Sequence, residues 1–383
     1  MKIGVIGWEL PPAFSGGLGI HTINIFSILN RMASITLYVP DVPGLNEKYP
    51  FKVHKVGLNY MAKNHEHTDG HNKKMESYYN GNLKFEDKIR IYNKNVIKAV
   101  DPEVDAIHCH DWITFRAGIK LKKKYGIPMV ATVHSTEIDR SGNFFPQKHI
   151  MDIEREGMEI ADKIIAVSDY TKKIIVNNYG IADKKIEVIY NGLDPNFIGM
   201  EPKDYGLQKS VLYFGRVTTQ KGPYFFLEAA KKTISKMPGI KFIIVGTGDL
   251  INQMKKDAEN FGIVKNVVFT GFVHLQEKLY YYRNSDIFVL PAVSEPFGMS
   301  VIEAMSTGTP AIISNTTGVG ESLRNVFKCD FWDTDYISEY IIGILKYRGL
   351  RETMGINGQI EAKGFTWDKS AIKTMEVYNS IVG

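Results

Sequence analysis

Short apolar runs alternate with amphipathic patterns along nearly the whole chain, and this alternation most constrains its fold. Tight turns cannot join parallel strands, so strands that alternate with helices are typical of parallel α/β sheets. The predicted strands of the first half are Lys2–Ile6, Ser34–Val39, Phe51–Val56, Ala106–His108, Met129–Val133, Lys163–Ala166 and Lys185–Ile189, with helices over 18–31, 84–100, 113–125, 147–161 and 169–179. The polar segment 60–82 is predicted to be a long loop.

A second series of the same kind begins near Ser210. Its predicted strands are Val211–Phe214, Ile240–Val245, Val267–Thr270, Ile287–Leu290 and Ala311–Ile313, followed by helices over 335–348, 350–362 and 368–382. The stretch 192–209 has the turn residues of a linker, and 383 residues suit two domains. We predict one doubly wound domain over 1–200, completed by a returning last helix at 368–383, and a second over 201–367. Facing each other, they would bring the carboxyl ends of both sheets to one cleft, where such sheets bind ligands.

Composition narrows the class of protein. The chain is 44% hydrophobic and 23% charged, which is typical of globular proteins. Its net charge of +5 comes without a basic stripe carrying aromatic residues, so no nucleic-acid partner is expected. The only cysteines, Cys109 and Cys329, argue against a disulfide framework and suit a reducing compartment. The chain starts directly on a strand, and no apolar run approaches the ~20 residues of a membrane helix, so we expect a soluble, cytoplasmic protein.

The segment 294–305 carries the strongest chemical signal, because a turn after an apolar strand opens a helix there. Backbone N–H groups of a first helical turn have no internal acceptor, and with the helix dipole they can seat a phosphate. Here these amides belong to Gly298, Met299 and Ser300. Glu295 and Glu303 lie at most about 12 Å apart along such a helix, which suits two sugars across a diphosphate. The alternative is that Glu295 is a solvated turn residue and that Glu303 lies on an exposed face of the helix.

Two loops could supply the remaining contacts to a diphosphate. Arg216 and Lys221 follow the first strand of the second series, and both cations suit phosphate oxygens. Near the N-terminus, Gly16 and Gly17 stand between a strand and a helix, where glycines let backbone approach an anion. A dinucleotide-binding fingerprint is not indicated, because neither Gly4–Gly7 nor Gly246–Gly248 has the full G-x-G-x-x-G pattern. The alternative for Arg216 and Lys221 is that they are solvated surface cations. The alternative for Gly16 and Gly17 is that they belong to a purely structural turn.

Polar residues also follow two neighbouring strands of the first series. Asp111 comes shortly after the predicted strand Ala106–His108, and His134 comes directly after Met129–Val133. Both would lie on the ligand-binding edge of the sheet. A histidine at a strand end is alternatively a structural residue with its hydrogen bonds satisfied.

Three other patterns resemble sites but are given structural interpretations. The first has the spacing of metal ligands but lies in a polar segment with no second ligand segment to pair with it, so no metal site is expected there; its residues are His65, His67, Asp69 and His71. The acidic pair Asp333 and Asp335 is expected in solvent. The basic segment Lys120–Lys124 is interpreted as the solvent-exposed end of a helix. The alternative is that this segment, together with Trp112 and Phe115, contacts an acidic membrane surface.

Together these motifs resemble retaining nucleotide-sugar glycosyltransferases of the GT-B class, which have two Rossmann-like domains, and specifically family 4 with features of glycogen and starch synthases. The resemblance spans essentially the whole chain. The matching positions are Gly16-Gly17-Leu18, His110-Asp111-Trp112, His134, Ala166-Val167-Ser168 with Thr171, Asn191-Gly192 with Asp194, Phe214-Gly215-Arg216 with Lys221-Gly222, and Glu295 with Glu303.

The resemblance implies a role for each matching residue. Arg216 and Lys221 would hold the donor diphosphate, Glu295 the sugar hydroxyls and Glu303 the ribose. His134 would lie over the reacting face of the sugar. Further donor contacts are implied at Gly16, Gly17, Phe297, Gly298, Met299 and Ser300, and acceptor contacts at Asp111 and Asn191. The resemblance also implies retention of the anomeric configuration and no metal or cofactor, because protein cations neutralise the diphosphate.

The chain departs from bacterial glycogen synthases at Phe14, where they have lysine, and at Ile20, where they have aspartate. It keeps Glu303, which they lack, and so fits the broader family better. We expect transfer of a hexose, glucose, from UDP- or ADP-glucose to an α-glucan. A lipid or small-metabolite acceptor and a non-catalytic sugar- or nucleotide-binding regulator are the alternatives. The sequence leaves open the base, the sugar, the acceptor, the linkage and the oligomeric state.

Overall fold

The computed structural model describes residues 1–12, 16–45, 48–58, 84–199 and 209–382. The predicted loop 60–82 therefore lies outside the described residues. The same holds for Phe14 and for His65, His67, Asp69 and His71.

The first half of the chain forms a seven-stranded parallel sheet of order β3-β2-β1-β4-β5-β6-β7. Its strands are β1 Lys2–Ile6, β2 Ser34–Pro40, β3 Lys52–Val56, β4 Ala106–His110, β5 Met129–Val133, β6 Lys163–Ala166 and β7 Ile186–Val188. The predicted strand ending at His108 was too short, because Cys109 and His110 continue the register with β5. Strand order reverses between β1 and β4, the kind of switch point where such sheets bind ligands.

The second half forms a six-stranded parallel sheet of order β10-β9-β8-β11-β12-β13. Its strands are β8 Ser210–Phe214, β9 Lys241–Val245, β10 Val267–Gly271, β11 Ile287–Leu290, β12 Ala311–Ser314 and β13 Val326–Cys329. The sequence analysis missed β13, a short edge strand. Here the order reverses between β8 and β11. The predicted fold of two doubly wound α/β units is confirmed.

Helices cover the faces of both sheets, and the predicted helices are found within one or two residues of their expected bounds. Those of the first half are Gly17–Leu29, Phe85–Ala99, Trp112–Tyr125, Glu137–Arg140, Lys148–Ile160 and Asp169–Tyr179. Those of the second half are Pro223–Lys236, Ile251–Asn260, Leu275–Asn284, Met299–Ser306, Thr334–Lys346, Arg348–Ala362 and Trp367–Ile381. The short helix Glu137–Arg140 was not predicted, although Thr136 and Asp139 form the capping box that opens it.

The last helix, Trp367–Ile381, packs against the helix Gly17–Leu29 and completes an apolar core beneath the first sheet. Trp367 and Tyr378 are buried in that core. The hydroxyl of Tyr378 also lies 2.6 Å from Nδ1 of His108 in β4. The end of the chain thus contributes to the first sheet, while the exact domain bounds stay a prediction.

Hydrogen bonds join the two halves close to the start of the helix Asp169–Tyr179. The Ser168 hydroxyl caps this helix by accepting from the Thr171 amide, and it donates to the Pro296 carbonyl at 2.5 Å. The Glu321 carboxylate accepts from the amides of Asp169 and Tyr170 at 2.7 and 3.0 Å. The start of this helix therefore contacts both the loop that follows β11 and the segment Gly318–Ser322 that follows β12.

Among the described helices, none combines the length and the apolar character required to cross a bilayer. The lysines at the end of the helix Trp112–Tyr125 are largely solvated: Lys120, Lys123 and Lys124 are exposed.

Candidate active site

Several of the predicted site residues follow the strands on either side of the two switch points. In the first half, the glycine loop follows β1 and Asp111 follows β4. In the second half, Arg216 and Lys221 follow β8 and Glu295 follows β11. Topology alone therefore collects polar side chains at the carboxyl edge of each sheet.

Lys221 and Glu295 form a direct ion pair across the switch point of the second sheet. Both side chains are mostly buried, with exposed fractions of 16% and 9%. A backbone hydrogen bond joins the loop after β8 to the loop after β11: the amide of Val293 donates to the carbonyl of Gln220 at 2.9 Å. Gly222 lies so close to the Pro291 carbonyl that a Cβ there would sit 1.8 Å from the oxygen. The close approach of these loops places the ammonium beside the carboxylate.

Arg216 differs from Lys221 because its side chain is exposed to solvent. Its guanidinium donates a hydrogen bond to the side-chain oxygen of Gln220 at 3.3 Å. Its backbone is held by the buried Tyr213, whose hydroxyl donates to the Arg216 carbonyl at 2.8 Å. A fixed backbone with an exposed guanidinium suits an anionic ligand.

The helix Met299–Ser306 begins where the sequence predicted. Gly298 stands at its N-cap with φ 108°, a backbone conformation that favours glycine. Phe297 is buried, and its carbonyl accepts from the Val319 amide at 2.7 Å. Met299 packs against the apolar core of the first half, so the start of this helix faces the other sheet.

Glu303 is buried rather than exposed, with an exposed fraction of only 3%. Its carboxylate pairs with Lys278 at 2.6 Å and accepts from the Tyr282 hydroxyl at 3.1 Å. Burial raises the pKa of Glu303, and the Lys278 ammonium partly opposes this rise. The solvated alternative for Glu303 is therefore wrong. Lys278 was missed because its role depends on the packing of the helix Leu275–Asn284, which leaves no signal in the local sequence.

Asp111 and His134 meet on the edge of the first sheet, as their strands predicted. The Asp111 carboxylate accepts from the His134 amide at 2.7 Å, and its backbone has a φ of 56°. Burial raises the pKa of Asp111 to about 6, although the Arg140 cation lowers it. Burial lowers the pKa of His134 to about 3, so its imidazole is neutral near neutral pH.

A buried histidine cluster lies beneath this edge. His134 Nε2 is 2.9 Å from His110 Nδ1, and His21 Nδ1 is 2.9 Å from the Asn191 side-chain oxygen. Burial keeps the pKa values of His21 and His110 well below their ordinary range. One ring nitrogen from each of His21, His110 and His134 lies within 4.8 Å of the others, so the set could geometrically hold a metal ion. The absence of a metal requirement stays a prediction.

Glu9 belongs to this region, and the sequence analysis did not include it among the site residues. Its carboxylate accepts from the Gly19 amide at 3.2 Å and would lie 2.9 Å from a Cβ placed on Gly16. Burial raises the pKa of Glu9, while the Gly19 amide and the positive charge of Arg216 lower it. A single acid between apolar residues just after β1 was a signal that could have identified it. Glu9 connects the glycine loop electrostatically to the second half.

The pKa of Asp111 leads to a testable pH dependence. The carboxyl of Asp111 binds a proton more tightly in the folded chain than in the unfolded chain, where its pKa has the ordinary value of 3.8. The stability that this preference contributes is fully present below the ordinary value and is lost as the pH rises through about 6. From about pH 4 to 7, wild type should therefore lose on the order of 2–3 kcal/mol relative to Asp111→Asn.

Urea unfolding of both proteins across this pH range measures that difference. Because the amide keeps an oxygen that can accept from the His134 amide, the variant should fold. A stability difference that does not change with pH would contradict the shifted pKa.

Known proteins resemble this chain in sequence and fold. The model of Glycosyltransferase Family 4 matches residues 15–197, and that of Glycosyl transferases group 1 matches residues 201–361. An uncharacterised glycosyltransferase of Methanocaldococcus jannaschii is 29% identical, over 99% of this chain and 98% of its own. A glycogen synthase of Mycobacterium tuberculosis is 28% identical, over 85% of this chain and 80% of its own.

A solved structure shows the same fold. HepE of Anabaena in complex with UDP-glucose superposes with a TM-score of 0.76 at 18% identity, covering 99% of this chain and 100% of HepE. The two family models divide the chain at the linker between the two sheets, and each matches the unit that the topology defines. This chain is therefore a group 1 glycosyltransferase with the GT-B fold.

Proposed function

We propose that this chain is a retaining glycosyltransferase that moves glucose from UDP- or ADP-glucose to an α-glucan without a metal ion. The observation that carries this proposal is the mostly buried Lys221–Glu295 pair beside the exposed Arg216. A cation paired with an acid that would bind the sugar, next to a second, solvent-exposed cation that would bind phosphate, suits a donor whose sugar and diphosphate lie side by side.

The second half would hold the donor. Arg216 can fork to two phosphate oxygens, and Lys221 can act as a point charge on the same group. The first-turn amides of the helix Met299–Ser306 add further hydrogen-bond donors. The carboxylate of Glu303, which forms an ion pair with Lys278, would accept hydrogen bonds from the ribose hydroxyls. The resemblance to HepE, whose structure contains UDP-glucose, supports this class of donor.

The first half would present the acceptor. His134 and Asp111 lie at the edge of the first sheet, and the loops of both halves meet at Ser294, whose hydroxyl donates to Asp139 at 2.5 Å. A neutral imidazole at His134 can hydrogen-bond to the sugar without adding charge to the reacting face. The similarity to a glycogen synthase supports a glucan as the acceptor.

The chemical step would balance without a protein base. The bond from the anomeric carbon to the leaving phosphate oxygen breaks, and a bond to the acceptor oxygen forms on the same face. The acceptor proton passes to the departing phosphate oxygen. Positioned cations stabilise the charge that develops on that oxygen, and positioning of both substrates lowers the entropic barrier.

A panel of sugar nucleotides tests this proposal. We expect release of nucleoside diphosphate from UDP- or ADP-glucose only when a glucan is added, and mass analysis should show a product longer by one hexose. The Glu295→Ala variant should lose this turnover. Turnover by Glu295→Ala equal to that of wild type would contradict the assignment, and wild-type binding without turnover across the panel would favour a regulator.

A metal chelator tests the remaining element of the proposal. Because Arg216 and Lys221 supply the positive charge, activity should be the same with and without EDTA. Activity that EDTA abolishes and manganese restores would overturn the proposed metal independence.

A further inference from the structure

A run of aromatic side chains lies on the surface of the second half. Tyr224, Phe225, Phe331 and Trp332, here named the aromatic strip, follow one another with ring centroids 5.8, 5.1 and 4.6 Å apart. Tyr224 is 45% exposed and Trp332 is 58% exposed, while the two phenylalanines are half-buried. Apolar patches of this kind on a protein surface are often functional.

The strip lies on the same sheet edge as the proposed donor site. Tyr224 and Phe225 stand in the first turn of the helix Pro223–Lys236, directly after Lys221 and Gly222. Phe331 and Trp332 follow the carboxyl end of β13, the edge strand. The strip therefore runs from the Lys221 loop toward the outer edge of the second sheet.

Hydrogen-bonding groups flank the rings. Asp335 is exposed and pairs with Lys232 at 2.8 Å, and the Asp333 carboxylate caps the helix Thr334–Lys346. Tyr336, in the first turn of the same helix, is also 58% exposed. Aromatic faces bordered by carboxylates, an ammonium and a phenol match a ligand that has apolar C–H faces and hydroxyl edges.

We propose that the aromatic strip binds a segment of the α-glucan chain, outside the reaction centre. This inference rests on the proposed glucan acceptor. Sugar rings would stack on the exposed rings, while their hydroxyls reach the flanking polar groups. Such a site would keep a long acceptor on the enzyme between successive transfers.

The size of the strip favours a narrow chain over a protein partner. Rings of this type bury roughly 150–250 Å² each when fully covered, so four partly exposed rings offer roughly 300 Å². A stable protein interface needs about 800 Å² from each partner. A carbohydrate chain one sugar wide fits the smaller area.

Affinity electrophoresis of the full-length protein in gels containing glycogen tests the proposal. Wild type should be retarded, and Trp332→Ala and Tyr224→Ala should each weaken apparent glycogen affinity roughly threefold to tenfold. Tyr347→Ala removes a ring that is 59% exposed and lies elsewhere, and it should behave as wild type. Turnover with a short glucan oligosaccharide should be the same in all four proteins.

The outcomes separate this inference from the proposed function. Equal retardation of Trp332→Ala, Tyr224→Ala and wild type would overturn the strip as a glucan site while leaving glucosyl transfer intact. An equal loss of affinity in Tyr347→Ala would also overturn it, since the effect would not be specific to the strip. A dimer that Trp332→Ala converts to monomer in gel filtration would identify the strip as a contact between copies. Absence of transfer to any glucan would instead remove the proposed function itself.

Discussion

Replacing Lys221 by methionine is expected to lower kcat by roughly 10²–10³-fold, because in the proposed reaction the leaving diphosphate would lose a positioned cation. Methionine keeps much of the lysine stem and removes only the charge. The same change leaves the Glu295 carboxylate buried without its partner. An unpaired buried charge of this kind costs about 3–5 kcal/mol in the free energy of unfolding. Loss of turnover and loss of stability should therefore appear together.

A second substitution separates the two effects. In Lys221→Met combined with Glu295→Gln, no unpaired charge remains, so most of the stability should return while turnover stays lost. Lys122→Met is the matched control, since Lys122 pairs with Asp162 on the surface with exposed fractions of 26% and 36%. That control should lose less than about 1 kcal/mol and keep full activity. A double variant with restored turnover would show that Lys221 only neutralises Glu295.

Gly222→Ala is expected to lower the free energy of unfolding by at least about 3 kcal/mol and to weaken the proposed donor binding. The backbone of Gly222 has a φ of 62°, and a Cβ there would lie 1.8 Å from the Pro291 carbonyl oxygen. Neither backbone can move without shifting the Lys221 loop away from the loop after β11. A rise in the donor KM should therefore accompany the fall in the urea midpoint.

Gly180→Ala controls for backbone strain alone. Gly180 has a φ of 73° at the end of the helix Asp169–Tyr179, but nothing lies within 4 Å of an added Cβ. The strain of a left-handed alanine costs about 1–2 kcal/mol. If both alanine variants lost the same stability and bound the donor equally well, the proposed contact between the two loops would be wrong.

Local patterns predicted most of the fold. Each strand or helix is indicated by residues that are close together in the sequence, and the structure contains these elements with shifts of one or two residues at their ends. The strand Val326–Cys329 escaped because a four-residue edge strand, only partly buried, has no apolar run to identify it. The short helix Glu137–Arg140 escaped for the same reason of length, although its capping residues are visible in the sequence.

The positions of the candidate site residues were predictable only where they belong to a local sequence motif. Arg216, Lys221 and Glu295 stand in loops after strands, and the topology brings them together as expected. Lys278 gave no such signal, because its contact with Glu303 depends on how two helices pack in space. The pairing of His21 with Asn191 joins residues that are 170 positions apart. Sequence spacing cannot predict contacts of this kind.

The helix Asp169–Tyr179 obtains part of its cap from the opposite half of the molecule. Glu321 supplies the acceptor for its first two amides. A cap contributes about 0.5–2 kcal/mol, and here that free energy exists only while the halves are joined. Any substrate that favours the joined arrangement gains from it, because a ligand and a conformation that prefer each other share one equilibrium. Glu321, a residue outside the candidate site, thus stabilises the joined arrangement of the two halves.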